Sequence, residues 1–478
     1  MGDGADFDDA FAEEERMSEV AAPRAADLAS PAVAPISRAY RNYAMGLLLV
    51  IYVFNFIDRQ VLNILAEPIK RELGLADWQL GLMSGPAFAL FYTFLGLPIA
   101  QLAERRNRRV IIAASLAIWS AFTAVCGYAQ SFLQLVLARI GVGIGEAGCT
   151  PPAHSLITDY VPRERRASAL AFYSMGTPIG GLLGTAIGGL IADAYGWRTA
   201  FLVCGLPGIA LAVVAVLTLY EPRTQRPVAP VAPKDGAGAG NALRALGNAL
   251  QILAKKRTFW FVAFAAATKA FIGYGHAPFT ASFFLRNHTE SLAAMAASTS
   301  AFLGVEIKSL GFLSLALAVM AGLGGTLGSY LGGWIADRYG AKDLRAYVVV
   351  PGVASLVTIP IYIFAVTTDV TLLGISMLMF NAILATLWYG PVYATAQSIV
   401  PGHMRATSSA MLLFIINIIG LGLGPLAVGA LSDLFAGPLG FGAAEGIRWA
   451  LVASSFAGVI AFACFWASRT SIREEMVG

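Results

Sequence analysis

Five ionisable side chains fall inside long apolar runs: Asp58, Arg59, Arg139, Glu146 and Lys269. A charge at the centre of a membrane-spanning helix costs about 2.5–3.5 kcal/mol on insertion scales, so such groups mark pathways and switches. Arg139 and Glu146 are seven residues apart, which puts them within about 20° on one helical face, two turns apart. Gly143 lies between them on that stripe. Opposite charges so placed can neutralise one another, and either carboxylate can take a proton and release its arginine. Ionised, Asp58 and Glu146 would hold Arg59 or Arg139 and favour one cavity orientation. Protonated, they would free an arginine for an anionic head group or permit two halves to rock. The plainer alternative is a permanent structural ion pair.

Lys269 is a further cation within an apolar run, with His276 two turns later on the same face. It reads either as a cavity residue or as a side chain snorkelling to an interface. His276 is expected near the mouth of a cavity, and His154 as structural. Phe54, Asn55, Tyr173, Tyr274, Asn381, Trp388, Tyr389 and Asn417 could line an amphipathic cavity, although such residues also serve as packing and interface anchors. Cys126, Cys149, Cys204 and Cys464 sit in apolar surroundings without metal-ligand spacing and read as small buried hydrophobes. No cofactor or metal is expected. HExxH and GxSxG motifs are absent, as is GxxxxGK[ST], which argues against a membrane enzyme and an ATP-driven pump.

The elements that position these residues follow from composition. Charged residues are 13% of the 478 and hydrophobic ones 57%, with mean hydropathy +0.68. Soluble domains carry about 25% charge, so a water-soluble globule is excluded and a polytopic membrane protein is expected. Short, separated Arg runs without interleaved aromatics exclude nucleic acid as a partner. Apolar segments near or above the roughly 20 residues that cross a bilayer fall at 43–69, 77–103, 109–128, 131–158, 166–193 and 197–219. A second set lies at 258–286, 308–336, 345–367, 370–398, 404–433 and 446–468. The organisation is therefore an acidic disordered tail (1–40), a six-helix bundle (41–219), a linker (220–257), a second bundle (258–468) and a short tail (469–478). The linker is rich in Pro, Gly and basic residues, with an amphipathic helix expected near 241–255. The first tail lacks a basic region followed by an apolar core, so it is not read as a signal peptide. Met17 is an alternative start.

Basic residues gather at 105–109, at 163–166, in the linker, at 338–345 and at Arg405. The positive-inside rule then puts both termini in the cytoplasm. An internal repeat supports two sets of six. Val161-Pro162-Arg163-Glu164-Arg165-Arg166-Ala167 corresponds to Val400-Pro401-Gly402-His403-Met404-Arg405-Ala406, and Leu102-Ala103-Glu104-Arg105 to Ile335-Ala336-Asp337-Arg338. Paired repeats suit a rocking transporter that binds its cargo between them near the midplane.

Gly333-Trp334-Ile335-Ala336-Asp337-Arg338-Tyr339-Gly340 resembles the GxxxDRxG loop of the major facilitator superfamily. Its earlier copy is degenerate, with Ala100, Glu104 and Asn107 at the three matching places. Arg139-Ile140-Gly141-Val142-Gly143-Ile144-Gly145 resembles that superfamily's span-4 motif, and Gly176-Thr177-Pro178-Ile179-Gly180-Gly181 its span-5 motif. Phe54-Asn55-Phe56-Ile57-Asp58-Arg59, and the Gly-x-Gly-Glu-Ala run ahead of Pro151 and Pro152, are similar to the Spinster branch. The resemblance covers residues 40 to 470. It implies an all-α membrane protein of twelve transmembrane helices in two pseudo-symmetric six-helix bundles, working by alternating access.

The resemblance also implies proton-coupled movement of a lysolipid or sphingosine-phosphate-like anion, with proton coupling at Asp58, Glu146, Arg139 and Arg59. A proton-coupled carrier of small organic acids or drugs is the alternative, and a transporter-like receptor a remote one. Further, it implies gating loops in which Glu104 and Asp337 pack against a helix N-terminus of the opposite half, while Arg105 and Arg338 pair with acids; Asp159 is the expected partner of Arg105. Glycine-rich stripes in spans 5, 8 and 11 are expected at the interface between halves, where small residues let helices approach. The expected setting is a bacterial inner membrane, with a monomer whose partners are membrane lipids, protons and a small amphipathic substrate.

Overall fold

The computed structural model describes residues 36–162, 165–224, 251–401 and 404–476, and among them there is no strand. The expected acidic tail falls outside the described residues up to 35, as do linker residues 225–250 and most of the expected amphipathic helix. Spans 1 to 6 are Arg38–Leu73, Asp77–Ser84 with Pro86–Arg105, Arg108–Cys126, Phe132–Glu146 with Thr150–Tyr160, Arg166–Ser174 with Gly176–Tyr195, and Trp197–Thr218. Spans 7 to 12 are Arg257–Asn287, Ser309–Val319 with Gly325–Gly340, Ala346–Thr367, Thr371–Ala385 with Tyr389–Ser398, Arg405–Ile415 with Gly424–Ala436, and Gly442–Ser455 with Ala457–Ser468. Among the described residues, eleven spans are long and apolar enough to cross a membrane by length and composition alone. Span 7 is long enough at 31 residues, but Lys269 and His276 interrupt its apolar run. The chain is a multi-pass membrane protein.

Seven spans change course near their middle. Span 2 breaks at Gly85–Pro86, span 4 at 147–149 ahead of Pro151, and spans 8 and 11 pass through π-helical turns at Met320–Gly324 and Ile416–Leu423. Irregular backbone at membrane depth is tolerated where it is buried in protein or lines a cavity. At their ends the spans use ordinary caps. Ser37 and Asn107 accept from the amides of Tyr40 and Val110, and span 1 stops at Gly74 in the left-handed region (φ +64). One helix, Thr289–Leu303, was not foreseen; its Ala, Ser and Thr content reads as a loop between spans 7 and 8.

The buried apolar residues form three clusters. One joins both halves: Val61, Leu65 and Phe201 with Phe279, Phe284, Leu313 and Val428. The other two belong almost wholly to one half each, around Trp119 and Leu156, and around Phe259 and Ile399. The joint cluster lies at the end of the bundle away from the basic loops. The described apolar core shared by the halves is thus concentrated at that far end, and nearer the basic end Phe94 meets Phe414 across the seam (5.8 Å).

The glycine stripes only partly mark the seam between halves. Gly189 meets Ser314, Gly322 meets Leu182, and Gly429 meets the Asp77 carbonyl, all across it. Gly180, Gly184 and Gly188 instead pack on span 1, and Gly328 and Gly332 on span 10, within their own halves. Small residues serve any close helix pair, so composition alone could not separate the two uses.

Candidate functional site

Spans 1 and 4 bring Arg59 and Glu146 together. Arg59 donates from Nε (2.8 Å) and Nη2 (2.7 Å) to Glu146 Oε2, and the Glu146 side chain is fully buried. The guanidinium sits among three rings, 5.2 Å from Phe56, 4.8 Å from Phe88 and 4.6 Å from Tyr92. Aromatic faces attract a cation electrostatically, more strongly when water is excluded.

Arg139 takes no part in that pair. It is 2% exposed, its Nε and Nη1 have no hydrogen-bond partner, and its guanidinium lies 5.4 Å from Phe88. Of the two arginines the sequence offered to Glu146, Arg59 is the one that meets it. Seven residues of helix rise about 10.5 Å, too far for Arg139 and Glu146 to bond directly. The Phe88 backbone fills the stripe between them: a Cβ on Gly143 would lie 2.7 Å from the Phe88 carbonyl oxygen. Asp58 is 1% exposed, and neither of its oxygens has a hydrogen-bond partner among the described residues; it faces Thr123, Arg139, Arg59 and Glu146.

Beside this cluster lies a cavity of about 370 Å³ between the halves. Span 1 contributes Phe56, Arg59, Gln60 and Asn63, span 4 contributes Arg139, and span 7 contributes Lys269, Tyr274, His276 and Thr280. Its other wall is apolar, with Leu317, Met320 and Leu378. Among the described residues, three of the lining side chains carry a cationic group, Arg59, Arg139 and Lys269, and none is a carboxylate. Lys269, Tyr274, Asn381, Trp388 and Tyr389 line it as the sequence led us to expect. Phe54, Asn55, Tyr173 and Asn417 do not. Asn55 is buried behind the cavity beside Glu146, and Tyr173 stacks on Tyr52 at 4.3 Å. His276 is part of the wall rather than the mouth, bonded to Ser454 (2.9 Å) and stacked on Tyr362 (4.3 Å). His154 is exposed, edge-on to Tyr173.

The far end is closed by polar links that sequence reading missed. Arg286 of span 7 reaches across to Glu67 (2.7 Å) and Asp77 (2.8 Å), and Ser432 donates to Asp77 (2.6 Å). Asp433 accepts from the amides of Asp77 (3.0 Å) and Trp78 (2.7 Å), and Asp193 accepts from the Lys308 amide (2.6 Å). In each case a carboxylate at the end of one half's span caps the first turn of a helix in the other half. His288, just beyond span 7, hydrogen-bonds Thr371 (3.0 Å); burial, and then the Arg448 charge, hold its imidazole below the usual range.

At the basic end the expected gate has a different form. Asp159 meets Arg108 (2.6 Å) and not Arg105. Arg108 opens span 3 and is fully buried among Glu221, Asp159 and Ser155, whereas Arg105 is exposed. Burial alone would raise Glu221, but the hydrogen bonds from Arg108 outweigh it and hold the carboxyl below its ordinary value. Glu104 is exposed, and Asp337 accepts from Tyr347 of its own half (3.1 Å). Arg338 stacks over Trp334 at 5.7 Å. Among the described residues neither loop carboxylate bonds a helix N-terminus of the other half: Glu104 faces outward and Asp337 is held by Tyr347.

The sequence profile described as Major Facilitator Superfamily matches residues 48–425. A crystal structure of a bacterial homolog of the human lysosomal transporter Spinster, inward-facing and unoccupied, superposes with TM-score 0.80 at 33% identity, covering 93% of this chain and all of that one. An MFS-type efflux pump of Mycolicibacterium smegmatis is 31% identical over 437 residues, 91% of this chain and 94% of that protein. A probable sulfoacetate transporter of Cupriavidus necator is 28% identical over 428 residues, 84% of this chain and 94% of that one.

Proposed function

The chain belongs to the Major Facilitator Superfamily, in its Spinster-like branch, and from that premise we propose that it is a proton-coupled carrier of an amphipathic anion. It is a secondary transporter and not an enzyme. The observation that carries the anion reading is the charge of the cavity wall: Arg59, Arg139 and Lys269 face it from both halves, with no acidic side chain among the described lining residues. Two of these cations, Arg139 and Lys269, have no ion-pair partner among the described residues. An anion bound between them would touch one cation of each half, and so couple its own binding to the closing of the basic end.

The proton enters through Glu146. Ionised, it holds Arg59 as a neutral pair. Protonated, it no longer balances the guanidinium, and Arg59 adds its charge to the cavity wall. Proton and anion then favour each other's binding by the same factor, as linkage requires. Asp58, behind the pair, is a second acceptor within the same field. By the positive-inside rule the basic end faces the cytoplasm of a bacterial inner membrane.

A second reading is a carrier of small organic anions. Gln60, Asn63 and Thr280 give the cavity polar groups suited to hydroxyls, and the sulfoacetate relative is named for an anion without an apolar tail. Counterflow in proteoliposomes, with and without a pH gradient, separates the readings. A panel of lysolipids and sulfoacetate is offered to wild type, D58N and E146Q. Gradient-driven uptake that survives undiminished in both variants overturns the proton assignment. Uptake of sulfoacetate without uptake of any lysolipid selects the second reading.

A further inference from the structure

We infer that the apolar arm of that amphipathic anion lodges in a side chamber between spans 8 and 10, reached from the cationic cavity past Met320. This rests on the anion-binding reading above. The chamber, about 350 Å³, is lined by Phe312, Leu315, Ala316, Val319, Ile375 and Met379, with Thr299 of the unforeseen helix and Ser376 as its polar groups. Met320 lines this chamber and the central cavity alike. It is the first residue of the π-helical turn Met320–Gly324, a distortion that recurs at functional sites.

The seam between the two spaces is thin. Ala321 and Ala382 line the cavity beside Met320, and a Cβ on Gly324 would lie 2.9 Å from that of Ala382. Methionine is unbranched and adapts its shape to what lies against it, and Met320 lines both spaces. The cations and Met320 share one cavity on different walls. A head group on Lys269 and Arg139 therefore leaves its arm pointing to the apolar wall.

The occupant follows from solvent. The central cavity carries three cations with Gln60, Asn63 and Thr280, so an arm left there would lie against polar groups and their hydration. An arm in the chamber, which also borders the outward-facing Val319, stays in an apolar medium while the head group crosses. The chamber adds no attraction beyond that of lipid tails themselves. It removes the penalty for hydrating each methylene.

The test uses the full chain in nanodiscs and a dodecyl phosphate bearing a diazirine at the end of its tail. After irradiation, labelled peptides are mapped by mass spectrometry. We expect label on the segments containing residues 312–320 and 375–379, displaced by excess decyl phosphate. It should fall about tenfold or more in K269Q, the loss of one charged contact. In A316F, monodisperse by gel filtration, label should leave these segments for central-cavity peptides. Label in the chamber that neither decyl phosphate nor K269Q reduces is annular lipid and overturns the inference. Competed label confined to the central cavity of the wild type also overturns it, while the anion reading stands. Competed label nowhere in the protein sinks the anion reading itself.

Discussion

Asp433 caps the helix in which Trp78 is the second residue, its Oδ2 lying 2.7 Å from the Trp78 amide across the boundary between halves. Asp193 does the same for Lys308, 240 residues earlier in the chain, close to the 233 and 239 residues that separate the two sequence repeats. A carboxylate at a helix N-terminus satisfies orphan amides and meets the positive end of the helix dipole. The two caps form a symmetric clasp that holds the far end shut. Losing a cap costs about 1 kcal/mol, so D193A and D433A together should raise the far-side-open population by about thirtyfold. A cysteine replacing the cavity residue Ser84 should then react faster with a membrane-impermeant thiol reagent from that side. An unchanged rate would show that the clasp does not set the equilibrium.

The Arg59–Glu146 pair predicts strong non-additivity. Removing one partner of a buried pair leaves an uncompensated charge, at about 3–5 kcal/mol. R59Q should therefore lower the thermal midpoint far more than R59Q/E146Q does. If the two variants unfold alike, the pair contributes no coupling energy.

Proton linkage sets a sign for ligand binding. Protonation of Glu146 frees Arg59 for the anion, so affinity for an alkyl sulfate, whose own charge does not change with pH, should rise as pH falls through the range in which Glu146 titrates. E146Q, permanently neutral, should bind as the protonated wild type does, with a flat profile. Calorimetry across a pH series checks this, and a pH slope retained in E146Q refutes it.

Arg139 and Lys269 should each contribute a charged contact worth about 1.5–3 kcal/mol. R139Q and K269Q should each weaken alkyl phosphate binding by about tenfold or more. Binding that is insensitive to both substitutions would place the anion elsewhere.

Glu221 makes stability acid-sensitive at the basic end. Its folded-state pKa is depressed below the ordinary 4.5, burial being outweighed by the hydrogen bonds from Arg108. The stabilisation is complete above that ordinary value and is lost as pH falls through the lower folded value. Wild type should lose thermal stability below about pH 4.5, and E221Q should lose less over the same interval. Parallel melting curves for the two would exclude this contribution.

The spans were legible in the sequence because a bilayer imposes length and apolarity locally. Asp58, Arg59, Arg139, Glu146 and Lys269 were legible because a charge in such a run stands out. Which arginine meets Glu146 was not, since Phe88 and Tyr92 on span 2 decide where Arg59 rests, and that is a tertiary fact. Asn55 and Tyr173 were assigned to the cavity on residue type, whereas their helical faces turn them inward. Asp193 and Asp433 carried no signal at all, because an acid at the end of a span is ordinary. Only its distance to an amide of the other half distinguishes it.

That clasp has an asymmetry of inheritance. Its acceptors are two side chains, but its donors are backbone amides, which no substitution short of proline removes. A gate built from paired charges must change both partners to be retuned without stranding one. Here a single codon at Asp193 or Asp433 adjusts how readily the far end opens, while the other side of the contact is conserved by the chemistry of the peptide bond itself.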